Sequence, residues 1–204
     1  MKTNILEFYV NKFNYFDNID DLDLSNIPPV VRRRMSTLDK VTLLAIDKTY
    51  TDSIQNIVFA SQYGEVDRLL KIIDQYTKEK EVSPNTFSGS VHNYPVSSFL
   101  LNKKLSVPYT ALSACKNTIS SGLLVSLVSN YNNVLFCYSD VNNDVVYAMA
   151  IGLSKVRITE GCRYEVRFQQ NNNSDDSFDN YVKLFSGIIS SVKAHNYTIE
   201  RLDK

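Results

Sequence analysis

Four consecutive apolar residues, Ile57, Val58, Phe59 and Ala60, run straight into the small polar turn of residues 61–64, and behind it Val66, Leu69, Leu70 and Ile73 recur at helical spacing. A half-exposed strand alternates polar with apolar, whereas a short unbroken apolar run marks a strand covered on both faces. The i, i+3, i+4, i+7 repeat that follows is that of an amphipathic helix. A buried strand feeding a helix calls for a crossover connection, and hence for a largely parallel sheet packed between helical layers.

The same alternation continues along the chain. Residues 5–13, ILEFYVNKF, read as a first strand of β-branched and aromatic residues. In IPPVVRRRMSTLDK the Pro28-Pro29 pair blocks helix locally, while Ser36 with Asp39 three residues later forms a capping-box start to a helix reaching about Tyr50, with Leu38, Val41, Leu44 and Ala45 on its inner side. SPNTFSGSVHNYPVSSF is a loop that turns helical from about Tyr94. LSVPYTALSA reads as a strand, CKNTISSGLLVSLVSNY as a helix with Ile119, Leu123, Leu127 and Val128 inward, and NNVLFCYSDV as a strand. DVVYAMAIGLSKV and RYEVRFQQ read as two strands joined by a turn. NNNSDDSFDN is a polar loop with a mobile composition, residues 181–195 read as a helix, and YTIERL as a closing strand. The whole is expected to be an α/β layered domain spanning residues 1–204.

Charge narrows the partners. Lys plus Arg number 22 and Asp plus Glu number 22, so the formal charge is zero and no global basic field points to nucleic acid or an anionic membrane. No run of eighteen apolar residues is present, and the N-terminus lacks the apolar stretch and cleavage site of a signal peptide, so a cytoplasmic protein without membrane insertion is expected. The three cysteines, Cys115, Cys137 and Cys162, stand at spacings that fit neither a disulfide framework nor a zinc site, and are read as thiols in a reducing compartment. Proteins and small molecules remain as partners; no cofactor or metal is implied.

The sharpest local feature is SACKNT, where a strand feeds directly into a helix with Cys115 at the junction. Unpaired N–H groups and the positive end of the helix dipole favour a thiolate there, the arrangement of a nucleophile elbow. A small half-buried cysteine in a tight turn has the same sequence. A thioester-forming cysteine also needs acid-base help, usually from histidine, and the chain has only His92 and His195. His195 stands at the end of the last expected helix, where a positive side chain suits the dipole. His92, in its polar loop, is a candidate pocket residue and equally a loop hydrogen-bonder. The run Arg32, Arg33, Arg34 is a candidate anion or acidic-partner contact, against the plainer reading of a solvated face. QYGE at residues 62–65 lacks the glycine pattern of a phosphate loop and carries no nucleotide site.

Taken in order and approximate spacing, IPPVVRRRMSTLDK, IVFASQYGEVDRLLKII, SPNTFSGSVHNYPVSSF, SVPYTALSACKNTISSGLL and NVLFCYSDV resemble the β-ketoacyl synthase N-terminal domain family, over about residues 27–140. The resemblance is to its short stand-alone members, ketosynthase- or chain-length-factor-like proteins associated with aryl polyene and fatty-acid-like gene clusters. It implies the N-terminal half of a thiolase-like fold, a mixed, mostly parallel five-stranded sheet between helices, with an extra C-terminal helix and strand. In full ketosynthases that half supplies the nucleophilic cysteine, which Cys115 matches; the other half, with two histidines and a lysine, has no counterpart here. The implied role is therefore a non-catalytic or degenerate subunit in fatty-acid- or polyketide-type synthesis. It would act as a homodimer, or as a heterodimer with a ketosynthase, with an acyl carrier protein as a further partner. The alternative is an acyltransferase using Cys115 as acyl-thioester nucleophile. By the same resemblance LSVPYTALSA is an interface strand, and Arg32, Arg33, Arg34, Asn93 and Tyr109 are carrier or partner contacts.

Overall fold

The computed structural model describes residues 5–142 and 145–203. Its strands are β1 (Ile5–Phe16), β2 (Asn56–Ala60), β3 (Tyr109–Leu112), β4 (Asn133–Asn142), β5 (Val145–Ser154), β6 (Cys162–Phe168), β7 (Ser191–Lys193) and β8 (Tyr197–Arg201). They form one sheet in the order β3-β2-β4-β5-β1-β6-β8-β7. β2 lies parallel to β3 and to β4, while β5 runs antiparallel to its neighbours β4 and β1. β1, β2, β3 and β4 therefore point one way and β5 the other, which is the mixed, mostly parallel five-stranded unit that the resemblance implies. β6, β8 and β7 continue it beyond β1 by antiparallel pairing.

The unbroken apolar run of β2 has a direct physical reason. Ile57 and Phe59 point into the core on one face of the sheet and Val58 and Ala60 into the core on the other, and all four are fully buried. β4 divides its side chains in the same way, Leu135 and Cys137 on one side and Val134, Phe136 and Tyr138 on the other. On the first face lie α2 (Thr37–Thr49), through Val41, Leu44, Ala45 and Ile46, and α5 (Tyr94–Lys103), through Val96, Phe99 and Leu100. On the second lie α6 (Thr118–Val128), through Ile119, Leu123 and Leu127, and α7 (Phe178–Phe185), through Tyr181, Leu184 and Phe185. Each large side chain buried this completely contributes about 1.5–3 kcal/mol to stability. α6 approaches the sheet closely at Gly122, where an added Cβ would lie 2.4 Å from the Phe136 ring.

Several expectations need correction. Pro29 does not prevent a helix; it opens the short α1 (Pro29–Arg32), because a first helical residue needs no N–H donor. The helix expected over residues 181–195 ends at Phe185. Gly187 adopts a left-handed φ of +79°, and the amide of Ile188 bonds back to the Lys183 carbonyl, a C-terminal closure that turns the chain toward β7. His195 consequently sits exposed between β7 and β8, with no helix end to complement. β5 and β6 are separated by β1 rather than paired as a hairpin. Val128 points outward, 58% exposed, and β3 is only four residues long. The loop before α7 is tied down: Asp176 accepts a hydrogen bond from Ser120 of α6, and Asp175 accepts one from the Lys193 amide.

The amphipathic helix read after β2 is present as α3 (Val66–Glu79), but its apolar stripe faces solvent. Val66, Leu69, Leu70, Ile73 and Tyr76 are 37–58% exposed. The short α4 (Pro84–Ser88) and the loop behind it then lead to α5.

Candidate functional site

Ligand sites of open α/β sheets gather beyond the carboxyl ends of the parallel strands, and here that region is bounded by the ends of β2, β3 and β4. Asp140 of β4, almost fully buried, organises it. Its carboxylate accepts hydrogen bonds from Ser61 Oγ at 2.7 Å, the Gln62 amide at 2.8 Å and the Tyr63 amide at 3.0 Å, while Ser61 Oγ accepts one from the Gly64 amide at 2.8 Å. The turn that follows β2 is thereby fixed by side-chain chemistry. Gly64 has a left-handed φ of +58°, and any Cβ there would come within 2.7 Å of His92 Nδ1.

His92 thus lies beneath that turn, with its ring centroid 5.8 Å from that of Phe59. Its Nε2 stands 3.1 Å from the carbonyl oxygen of Leu112, the last residue of β3. A carbonyl only accepts, so Nε2 carries the proton and the imidazole straps the His92 loop to the end of β3. Asn93, the next residue, donates from Nδ2 to the Tyr109 hydroxyl at 2.9 Å. His92, Asn93 and Tyr109 are therefore brought together as the seam that holds the start of α5 against β3.

Cys115 lies three residues beyond Leu112. It is exposed and has a left-handed φ of +50°. A residue with a Cβ held in that region costs roughly 1–2 kcal/mol, and such strain persists only where neighbours impose it. Here the neighbour is Thr118, whose Oγ1 accepts from the Ala114 amide at 2.9 Å and donates to the Cys115 carbonyl at 2.6 Å. The strand does not feed directly into the helix as expected: β3 ends at Leu112, and a single 3₁₀ turn, Cys115–Asn117, stands between it and the first turn of α6. Among the described residues no hydrogen bond joins His92 to Cys115. Cys137, by contrast, is sealed in the core, where burial pushes its thiol up to about 12.

The arginine run leads to a second centre. Arg32 ends α1 and is half-buried; Arg33 and Arg34 are exposed. Arg34 lines a cavity of about 340 Å³ with Ser36, Lys40, Glu65, Arg68 and Lys71. Below that cavity three charges meet in a nearly dry site. Arg68 Nη2 lies 2.6 Å from Asp39 Oδ2, and its Nε 3.3 Å from Glu65 Oε2. The capping box of α2 is present, Ser36 Oγ accepting from the Asp39 amide and Asp39 from the Ser36 amide, and the same hydroxyl donates to Glu65 Oε1 at 2.6 Å. Arg68 also donates to the carbonyls of Gly89 and Arg34, and its guanidinium lies 5.1 Å from the centroid of the Tyr94 ring. One cation faces two carboxylates. Burial, reinforced by the negative charge of Asp39, pushes Glu65 up to about 7, and burial likewise raises Asp39 against the pull of Arg68.

The sequence exposes the Ser36–Asp39 half of this cluster through the capping box. Glu65 and Arg68 carry no local signal, since what defines them is a contact made across 29 residues.

The sequence matches the family model of the β-ketoacyl synthase N-terminal domain over residues 11–175. The chain belongs to this family. As a member of the β-ketoacyl synthase N-terminal domain family it shares its fold with solved structures of low sequence identity. One is a chain from the complex of the ketosynthase ApeO with its chain length factor ApeC from Xenorhabdus doucetiae, with a TM-score of 0.75, 16% identity, and 96% of this chain matched to 100% of that one. A second is the ishigamide ketosynthase/chain length factor, with a TM-score of 0.60, 12% identity and 72% of this chain covered. A third is a β-ketoacyl synthase from Burkholderia phymatum STM815, with a TM-score of 0.55, 8% identity and 85% covered. The chain spans 53% and 65% of the length of the latter two. No protein of curated function matches the sequence. The fold of this family member is accordingly that of a thiolase-like ketosynthase N-terminal domain, the family match running from within β1 through β6, with α7, β7 and β8 following it.

Proposed function

We propose that this chain is a cytoplasmic ketosynthase-like subunit that pairs with a ketosynthase and takes part in fatty-acid- or polyketide-type synthesis, of which aryl polyene assembly is one form, without forming carbon–carbon bonds alone. The observation that carries the reading is the end-to-end match with a chain of about its own length from a ketosynthase–chain length factor complex. Two features of the site support it. The proton on His92 Nε2 is committed to the Leu112 carbonyl, which leaves that nitrogen no part in decarboxylation or in stabilising an oxyanion. β3 forms one margin of the sheet, so its outer backbone groups are free to pair with a strand of another chain. On this reading β3 with Tyr109 and Asn93 faces the partner, and Arg32, Arg33 and Arg34, beside the cavity, meet the acidic surface of an acyl carrier protein. Co-expression with a ketosynthase should give a stable 1:1 complex on size exclusion, and Ala111→Pro, which removes an outward-facing backbone donor from the edge strand while Thr110 keeps its ladder bond to β2, should weaken it. Failure of the wild-type chain to associate would remove the reading's main support.

A second reading rests on one observation of its own, the strained φ of Cys115 at a strand-to-helix turn. In it the thiolate attacks the carbonyl carbon of an acyl thioester, a carbon–sulfur bond forms to Cys115, and the carrier leaves as its thiolate, which takes up the proton lost by the cysteine. Incubation with acyl-coenzyme A or acyl-carrier protein should then add one acyl mass, lost in Cys115→Ala. An unmodified wild-type chain, alone and in complex, eliminates this alternative.

A further inference from the structure

Toward the other end of the sheet from β3, two buried donors stand without acceptors. Tyr164 of β6 and Arg201 of β8 are directly paired across the two strands, and Cys162 lies two residues before Tyr164, so all three side chains share one face. Tyr164 is 0% exposed, with the rings of Phe8 and Phe185 each at 5.3 Å between centroids. Neither its hydroxyl nor Arg201 Nε has a hydrogen-bond partner among the described residues, an arrangement that buried donors rarely keep. Burial pushes the hydroxyl up to about 12 against the pull of the Arg201 charge, so it holds its proton and can donate. The one hydrogen bond of the Arg201 side chain among the described residues runs to Cys162 Sγ, 3.1 Å from Nη2.

We propose that Cys162 is a modification site for hydroperoxides, and that oxidation of its thiol to the sulfenic acid supplies the acceptor these two donors lack. A free anion cannot do so, because both donor atoms are closed to solvent, and the oxygen has to arrive bonded to a group already inside the site. Cys162 Sγ is that group: it touches the guanidinium and belongs to a half-buried side chain that a molecule as small as hydrogen peroxide can reach. The sulfur attacks one oxygen of the peroxide, an S–O bond forms and the O–O bond breaks. The other oxygen leaves as hydroxide, which the proton given up by the thiol converts to water. Sulfur is oxidised by two electrons and the peroxide is reduced by two. Arg201 then holds the oxidised group by a charge-assisted hydrogen bond and Tyr164 by its hydroxyl. Arg201 also packs on Gly187, where an added Cβ would lie 2.0 Å from Nη1, so oxidation ties β6, β8 and the turn after α7 together. No second cysteine is placed to close a disulfide. Cys115 follows β3, five strand positions from β6 and roughly 24 Å away at the usual strand spacing, and Cys137 is buried on the opposite face of the sheet.

Dimedone trapping and mass spectrometry of the full chain carrying Cys115→Ser, which removes the exposed thiol, test it. Hydrogen peroxide should place one dimedone adduct on Cys162, and a reductant added before the trap should abolish it. Before trapping, the peroxide-treated chain should melt about 2–4 °C higher than the reduced one, the shift expected of one new hydrogen bond in a chain of this size. Tyr164→Phe removes only a hydroxyl that is unpartnered in the reduced chain, so the reduced variant should melt no lower than its parent. Once oxidised, it should lose the rise in melting temperature and pass on to the sulfinic acid at least about fivefold faster. Arg201→Lys keeps the charge but not Nε, and should show the same two losses. Absence of a Cys162 adduct, or an adduct whose lifetime and melting shift are the same with and without the Tyr164 hydroxyl, would overturn the inference. A reduced Tyr164→Phe chain that melts lower than its parent would show that the hydroxyl already has a partner, and would overturn it as well.

Discussion

Replacing Arg68 by alanine should lower the free energy of unfolding by about 3–5 kcal/mol, the range for removing one partner of a buried ion pair. Among the described residues the guanidinium is the one cation within contact of Asp39 and Glu65, whose side chains are 0% and 2% exposed. Its loss also frees the carbonyls of Arg34 and Gly89 and empties the place over Tyr94. Gly89 packs directly against the guanidinium, where an added Cβ would lie only 1.9 Å from Arg68 Nη1. Arg68→Lys keeps the charge but cannot reach both carboxylates and two carbonyls with one ammonium group, and should recover only part of the loss. Urea denaturation at pH 8, where both carboxylates are most strongly driven to ionise, gives the largest difference. The decisive comparison is a cycle: in a Glu65→Gln background the cost of Arg68→Ala should shrink by more than 1 kcal/mol, because less uncompensated charge is left behind. Additive losses would mean that Arg68 acts through packing alone.

What could be read from the sequence was whatever a local pattern encodes. The run Ile57–Ala60 carries its burial on both faces within itself, and Ser36 with Asp39 marks the start of α2 by a bond made across three residues. The position of Cys115 between a strand and a helix was legible for the same reason, a strand pattern followed by a helix pattern. Gly187 was also a local signal, and reading past it into SSVKAH joined the true helix α7 to the strand β7. The stripe of α3 was legible as a pattern but not in its orientation, since a periodicity states that one face is apolar without stating what covers it. His92 as a loop hydrogen-bonder was legible, but its partners were not, because the carbonyl of Leu112 and the contour of Gly64 are contacts that only the tertiary fold creates. The three-charge cluster lay hidden for the same cause, its carboxylates belonging to two helix starts far apart in the chain.

The protonation of Glu65 gives that cluster an unusual pH signature. Its carboxyl is held at about 7 in the folded chain against an ordinary 4.5, with burial as the larger cause and the charge of Asp39 as the next. Below about pH 4.5 the group is protonated folded and unfolded alike, and its burial carries no charge penalty. Between there and about pH 7 the unfolded chain gives up the proton while the folded chain keeps it, so the folded state binds more protons and stability must fall as pH rises. Above about pH 7 both states are ionised and this contribution is flat. The fall amounts to on the order of 3 kcal/mol for a separation of this size. Asp39 and Asp176, both raised by burial, act in the same direction. The urea midpoint should therefore decline from pH 5 to pH 7.5, the reverse of the usual rise of a protein whose carboxylates are stabilised by cations. Glu65→Gln should remove most of that slope, since the amide keeps the Ser36 hydrogen bond without a titrating charge, and should leave the variant more stable than the wild type at pH 8. A midpoint that rises over this interval, or a slope that survives Glu65→Gln, would place the proton elsewhere.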